Sequence, residues 1–77
     1  MNFLKEKVRK YQEKKLIESK EKIKLHTEIK NRLEGELKSN TGNENELKKE
    51  IEKQDKFIKI WEKNVDSINK QMKKLDF

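Results

Sequence analysis

The chain has 77 residues, 47% of them charged and only 30% hydrophobic, with 21 Lys+Arg against 15 Asp+Glu and no Cys, Pro or Ala. That length and polarity leave room for one domain with a small core. They exclude a disulfide-stapled module, a thiol nucleophile and thiolate zinc ligation, and no apolar run nears the roughly 20 residues of a membrane span. What remains is a disordered chain or a long-helix coiled coil. No signal-peptide core follows Met1, so the expected location is cytoplasmic. Abundant Lys, Asn and Ile with no Ala or Pro point to a low-GC source, and with this length to a phage, plasmid or bacterial accessory protein.

The first expected element is a helix over 2–39. Leu4, Val8 and Tyr11 follow one heptad frame, rejoined by Leu25 and Ile29, whereas Leu16, Ile23, Leu33 and Leu37 follow another. At 100° per residue most of these fall on one broad face, so the helix is amphipathic, with a stutter expected near 15–19. Gly35 is the one helix breaker, a close backbone approach or a tolerated defect. His26, the single histidine, lies on the packed face between Lys22 and Lys30. A metal or acid–base site would need convergent carboxylates there, so a structural role is expected.

A turn is expected over 40–43, within the Ser39-Asn40-Thr41-Gly42-Asn43 cluster. Gly42 suits the left-handed residue that ends a helix. Asn43 reads as the next N-cap, with Glu46 in the capping-box position; Thr41 with Glu44 is the alternative. So short a break between long helices makes an αα-hairpin.

The second helix is expected over 44–76. Leu47, Ile51, Gln54, Ile58, Trp61, Val65, Ile68, Met72 and Leu75 alternate spacings of four and three, and only Gln54 is polar. This is a coiled-coil seam. Trp61 is too bulky for a narrow seam unless something small faces it. Glu44, Glu46 and Glu50 complement the positive end of the helix macrodipole.

The fold class expected is therefore all-α: an antiparallel helical hairpin forming one domain over 1–77. Facing residue numbers add to about 84, given antiparallel helices of equal rise. Leu37 then meets Leu47, Leu33 meets Ile51, Ile23 meets Trp61 and Leu16 meets Ile68, with Ser19 and His26 leaving room for the Trp61 ring. Phe3, Ile17, Phe57 and Ile60 fall outside the seam, and a monomer would expose all four. They are the candidate protein-interaction residues, and covering them suggests a homodimer, a four-helix bundle.

Residues 1–24 hold nine Lys/Arg and four Glu, 25–52 five and seven, and 53–77 seven and four, so the segments carry +5, −2 and +3. Folding brings the two basic segments together at the end that holds the termini. Lys7, Arg9, Lys10, Lys14, Lys70, Lys73 and Lys74 form a candidate nucleic-acid surface. The architecture resembles that of a small plasmid copy-number regulator, a dimeric helical hairpin that binds paired RNA loops, without a shared sequence motif. The acidic tip around Glu44 and Glu46 resembles, in architecture, the hairpin factors that enter the secondary channel of bacterial RNA polymerase, but lacks their paired acidic motif. The plainer reading of the charge is a solvated face laced with (i, i+4) pairs such as Glu6–Lys10, Glu28–Arg32, Glu34–Lys38 and Asp66–Lys70. Membrane-surface binding is disfavoured on the expectation that the apolar stripe is consumed by the seam. No Gly-rich phosphate loop or Ser–His–carboxylate set is present. The expectation is a non-enzyme without cofactor or metal: a coiled-coil protein-interaction module acting as adaptor, inhibitor or regulator. A nucleic-acid-binding regulator is the alternative.

Overall fold

Two long helices run antiparallel along a rod of 60 × 14 × 13 Å. The structure, a computed structural model, describes the backbone of residues 3–75 and the side chains of residues 3–74. Helix α1 spans Phe3–Lys38 and α2 spans Glu44–Leu75. Positions 2 and 76 of the expected helices, and the seam side chain of Leu75, lie outside the described residues; Ser39 belongs to the turn. Acidic side chains sit in the first turn of each helix and lysines in the last, as the macrodipole favours.

The turn is built from two caps. Asn40 takes the left-handed conformation, with φ 55°, and no glycine has a positive φ. This corrects the expectation for Gly42; asparagine tolerates the left-handed region because its short polar side chain bonds locally. The Asn40 amide donates to the Leu37 carbonyl and the Thr41 amide to the Glu36 carbonyl, at 3.3 and 3.2 Å. That pair of bonds is a Schellman motif, and it satisfies carbonyls the helix end would orphan. Gly42 serves a different need. A Cβ there would meet Leu47 Cδ1 at 3.3 Å, so the residue lets the backbone pass over the buried Leu47. Asn43 caps α2 as expected: its Oδ1 accepts from the Asn45 and Glu46 amides at 3.0 and 3.2 Å. The returning bond from Glu46 that would complete a capping box is not formed.

Helix α2 packs along the expected seam. Leu47, Gln54 and Ile68 are buried, and Ile51, Ile58, Trp61, Val65 and Met72 half-buried. Outside that series only Asp55 and Phe57 are covered at all among its described side chains.

Helix α1 departs from expectation. Its covered positions are Lys5, Arg9, Gln12, Leu16, Ser19, Ile23, His26, Lys30, Leu33 and Leu37, an unbroken alternation of four and three with no stutter. Only Thr27, Ile29 and Glu34 are covered outside it. Of the other apolar frame, Leu4, Val8, Tyr11 and Leu25 are exposed instead, and Ile29 is half-buried. Leu16, Ile23, Leu33 and Leu37 anchor the seam, and a straight helix extends it in the same frame to Lys5. Switching to the Leu4 frame would require local unwinding. The seam therefore accepts polar side chains, whose aliphatic stems can still cover apolar surface.

Register agrees with expectation. Gln12 faces Gln71, His26 faces Phe57 and Lys30 faces Asp55, each pair adding to within one of the expected sum. Ser19 is the most buried residue, at 1% exposure, and its Oγ donates to the Lys15 carbonyl at 2.9 Å. The small side chain lets the helices approach without leaving a hydroxyl unpaired. Among the described residues Leu33, Leu47 and Ile68 are the buried apolar ones, each worth roughly 1.5–3 kcal/mol on burial.

Trp61 is not fully enclosed in the seam. It lies half-buried on one flank, in a shallow groove with Glu18, Glu21, Lys22 and Leu25. Ile23 lines the opposite groove with Val65, Lys20, Glu62 and Asp66. No helix among the described residues is long and apolar enough to cross a membrane.

Candidate functional site

The middle of the seam carries a polar cluster that links the helices. Gln54, 7% exposed, is the polar seam residue of α2, and its Oε1 lies 2.7 Å from His26 Nδ1. With the amide in this orientation the ring carries its proton on Nδ1 and donates it. The imidazole also stacks on Phe57, with centroids 4.8 Å apart and planes at 27°. One helical turn along α1, Lys30 Nζ meets Asp55 Oδ1 at 2.7 Å across the interface. That hydrogen bond, followed by the nearby carboxylates, raises the Lys30 pKa above its ordinary value against partial desolvation. His26 is therefore held by an amide and a phenyl ring, the structural role expected of it. Among the described residues no group of three or more His, Asp or Glu side chains could hold a metal ion.

The four apolar candidates do not form one patch. Phe3 is 64% exposed and Ile17 and Ile60 are each 58% exposed, as expected. Phe57 is half-buried, contrary to expectation, because the His26 ring covers one of its faces. At 100° per residue Phe3 and Ile17 project from the back of α1, whereas Ile60 lies on the flank of α2 that also holds Phe57 and Trp61.

A further set of exposed apolar residues comes from those assigned to the seam on the sequence alone. Leu4, Val8 and Tyr11 stand at i, i+4 and i+7 on α1 and are 77%, 42% and 59% exposed. Leu25 continues the same stripe two heptads beyond Tyr11, 45% exposed and beside Trp61. Between them Lys15 pairs with Glu18 at 3.6 Å. The signal that could have revealed this is the 4–3 series from Lys5 to Leu37, visible only if polar residues are admitted to a seam.

The basic candidates divide in the same way. Lys7, Lys10, Lys14, Lys70, Lys73 and Lys74 are exposed, while Arg9 occupies a half-buried seam position. Gln12 Nε2 donates to Gln71 Oε1 at 2.6 Å and ties the helices together at this end. None of the four expected (i, i+4) ion pairs closes; Lys48 with Glu44 at 3.0 Å is the one that forms at that spacing among the described residues. Exposed pairs of this kind gain too little to hold two long side chains in one geometry. At the tip, an ion pair with Lys48 holds Glu44, and Asn43 caps the Glu46 amide.

No family model matches the chain, and neither a curated protein nor a solved structure matches it.

Proposed function

We propose that the hairpin is a non-enzymatic protein-interaction module of the cytoplasm, an adaptor or regulator whose first partner is a second copy of itself. The observation that carries this reading is the flank where Trp61 lies half out of the seam beside the exposed Leu25. Ile60, 58% exposed, borders it on α2. Large aromatics left partly open beside aliphatic neighbours are the usual anchors of protein interfaces. A lone two-helix hairpin also buries little area, and packing a second on this flank would make a four-helix bundle with a larger core.

Sedimentation of the wild type and of a Leu25→Lys/Ile60→Lys variant tests this. The wild type should sediment as a dimer at micromolar concentration and the variant as a monomer of unchanged helicity, because neither residue belongs to the seam. A wild type that stays monomeric at high micromolar concentration would rule out self-association.

A further inference from the structure

The first turns of α1 are built unlike the rest of the rod. Their seam positions are filled by Lys5, Arg9 and Gln12, and their aliphatic residues face outward. Leu4, Val8 and Tyr11 make an exposed ridge about two turns long. On the helix circumference Lys7, Lys14 and Lys15 lie within about 90° of that ridge, and Glu6 and Glu13 about 170° away. Two of the lysines fold over rings: Lys7 Nζ is 4.8 Å from the Phe3 centroid and Lys15 Nζ 5.6 Å from that of Tyr11. Apolar bodies thus stand beside exposed ammonium groups, as in lysines that snorkel, and the Lys15 head is shared with Glu18 at 3.6 Å. Folding adds the +3 of residues 53–77 to the +5 of residues 1–24 at this same end.

The shape narrows the choice of partner. Leu4, Val8 and Tyr11 come from one face of α1 alone, unlike the Leu25–Trp61 groove, which has a wall from each helix. An exposed apolar strip edged by cations complements a flat surface that is apolar within and anionic at its rim. A phosphate backbone would take up the lysines but offers nothing to bury Leu4 and Val8.

We propose that the first three turns of α1 seat the hairpin on an anionic lipid surface, with Leu4, Val8 and Tyr11 entering the headgroup boundary and Lys7, Lys14 and Lys15 meeting the lipid phosphates. The objection that the seam uses up the apolar stripe does not hold, because these residues lie outside it. This site is separate from the Leu25–Trp61 flank.

Co-sedimentation of the full chain with vesicles tests the proposal. Binding is expected to vesicles of mixed phosphatidylglycerol and phosphatidylcholine, and at least tenfold more weakly to phosphatidylcholine alone. Leu4→Glu/Val8→Glu should lower the anionic-vesicle affinity at least tenfold at unchanged helicity, as both residues are exposed. In a Tyr11→Trp/Trp61→Phe chain, brominated acyl chains should quench the new indole. Absence of binding by the folded wild type would overturn the proposal. So would full binding by Leu4→Glu/Val8→Glu, which would leave only a cationic surface open equally to nucleic acid.

Discussion

The two helices solve the same packing problem with opposite vocabularies. Every described seam position of α2 except Gln54 is apolar, so its packed face and its apolar face coincide. The seam of α1 follows the same four–three alternation, yet six of its ten positions are Lys5, Arg9, Gln12, Ser19, His26 and Lys30. Its apolar stripe and its packed face are two different faces. Spacing, continued from a few strong anchors, decides what packs; hydrophobicity decides only how strongly each position holds.

The sharpest way to break this comparison is to truncate one apolar residue from each kind of face. Ile68 is 7% exposed and Leu4 77%. Ile68→Ala should destabilise the hairpin by about 2–5 kcal/mol, as in other buried aliphatic truncations. Leu4→Ala should shift stability by no more than roughly 0.5 kcal/mol, as expected of a surface site. Thermal melts followed by helicity measure both, and comparable losses would mean that the Leu4 frame packs after all. Trp61→Ala should fall below the roughly 3–5 kcal/mol of a fully buried aromatic, because its indole is half open.

The polar contact across the seam offers the next test. Gln54→Leu removes the acceptor of the His26 proton, and an unsatisfied buried donor costs about 1–3 kcal/mol. Replacing both residues together by leucine should recover most of that loss, since paired polar groups are often no better than apolar ones of similar size. The double variant should then lose uniqueness of register rather than stability, as a single buried polar residue is a known register device. Labels on Gln12 and Gln71 that report one distance in the wild type should report a broader distribution in the double variant.

These cases also show what could be read in advance and why the rest could not. The α2 seam, the helix break and the Asn43 cap rest on local chemistry that one sequence displays openly. The α1 seam was hidden because Lys5, Arg9 and Gln12 look like solvent residues, and their inward placement is set by a frame anchored at Leu16 and beyond. Phe3, Ile17 and Ile60 were legible as exposed because no seam frame includes them. Phe57 was not, because its cover comes from His26 on the other helix. Leu4, Val8, Tyr11 and Leu25, the main part of the outer apolar surface, were hidden by the same error of frame.

The two glycines sharpen the contrast between an open surface and a close approach. A Cβ at Gly35 would meet nothing within 4 Å, while one at Gly42 would press on the buried Leu47. Gly35→Ala should therefore stabilise the hairpin by about 1 kcal/mol through helix propensity alone. Gly42→Ala should destabilise it or at best leave it unchanged. Melting temperatures that rise for both would show that Leu47 shifts aside freely.

The smallest expected effect concerns the outermost polar seam pair of the turn half, Lys30 with Asp55. Their side chains are 30% and 41% exposed, so water screens the 2.7 Å contact. The lysine pKa is raised in the folded chain, first by the hydrogen bond to Asp55 and then by the Asp55 and Glu34 charges. A raised pKa means that folding favours the charged form. The stabilisation is therefore complete below the ordinary lysine value and disappears as pH rises through the raised one. Asp55→Asn keeps the shape of the side chain and removes its charge. Its melting temperature should lie slightly below that of the wild type at pH 7, and the two should converge only as pH rises through the raised lysine pKa, where Lys30 loses its charge. A difference that persists at high pH would trace the effect to packing of the amide. The Lys30 position would then be a seam site tolerated for its aliphatic stem, with no part for its charge in choosing the partner across the interface.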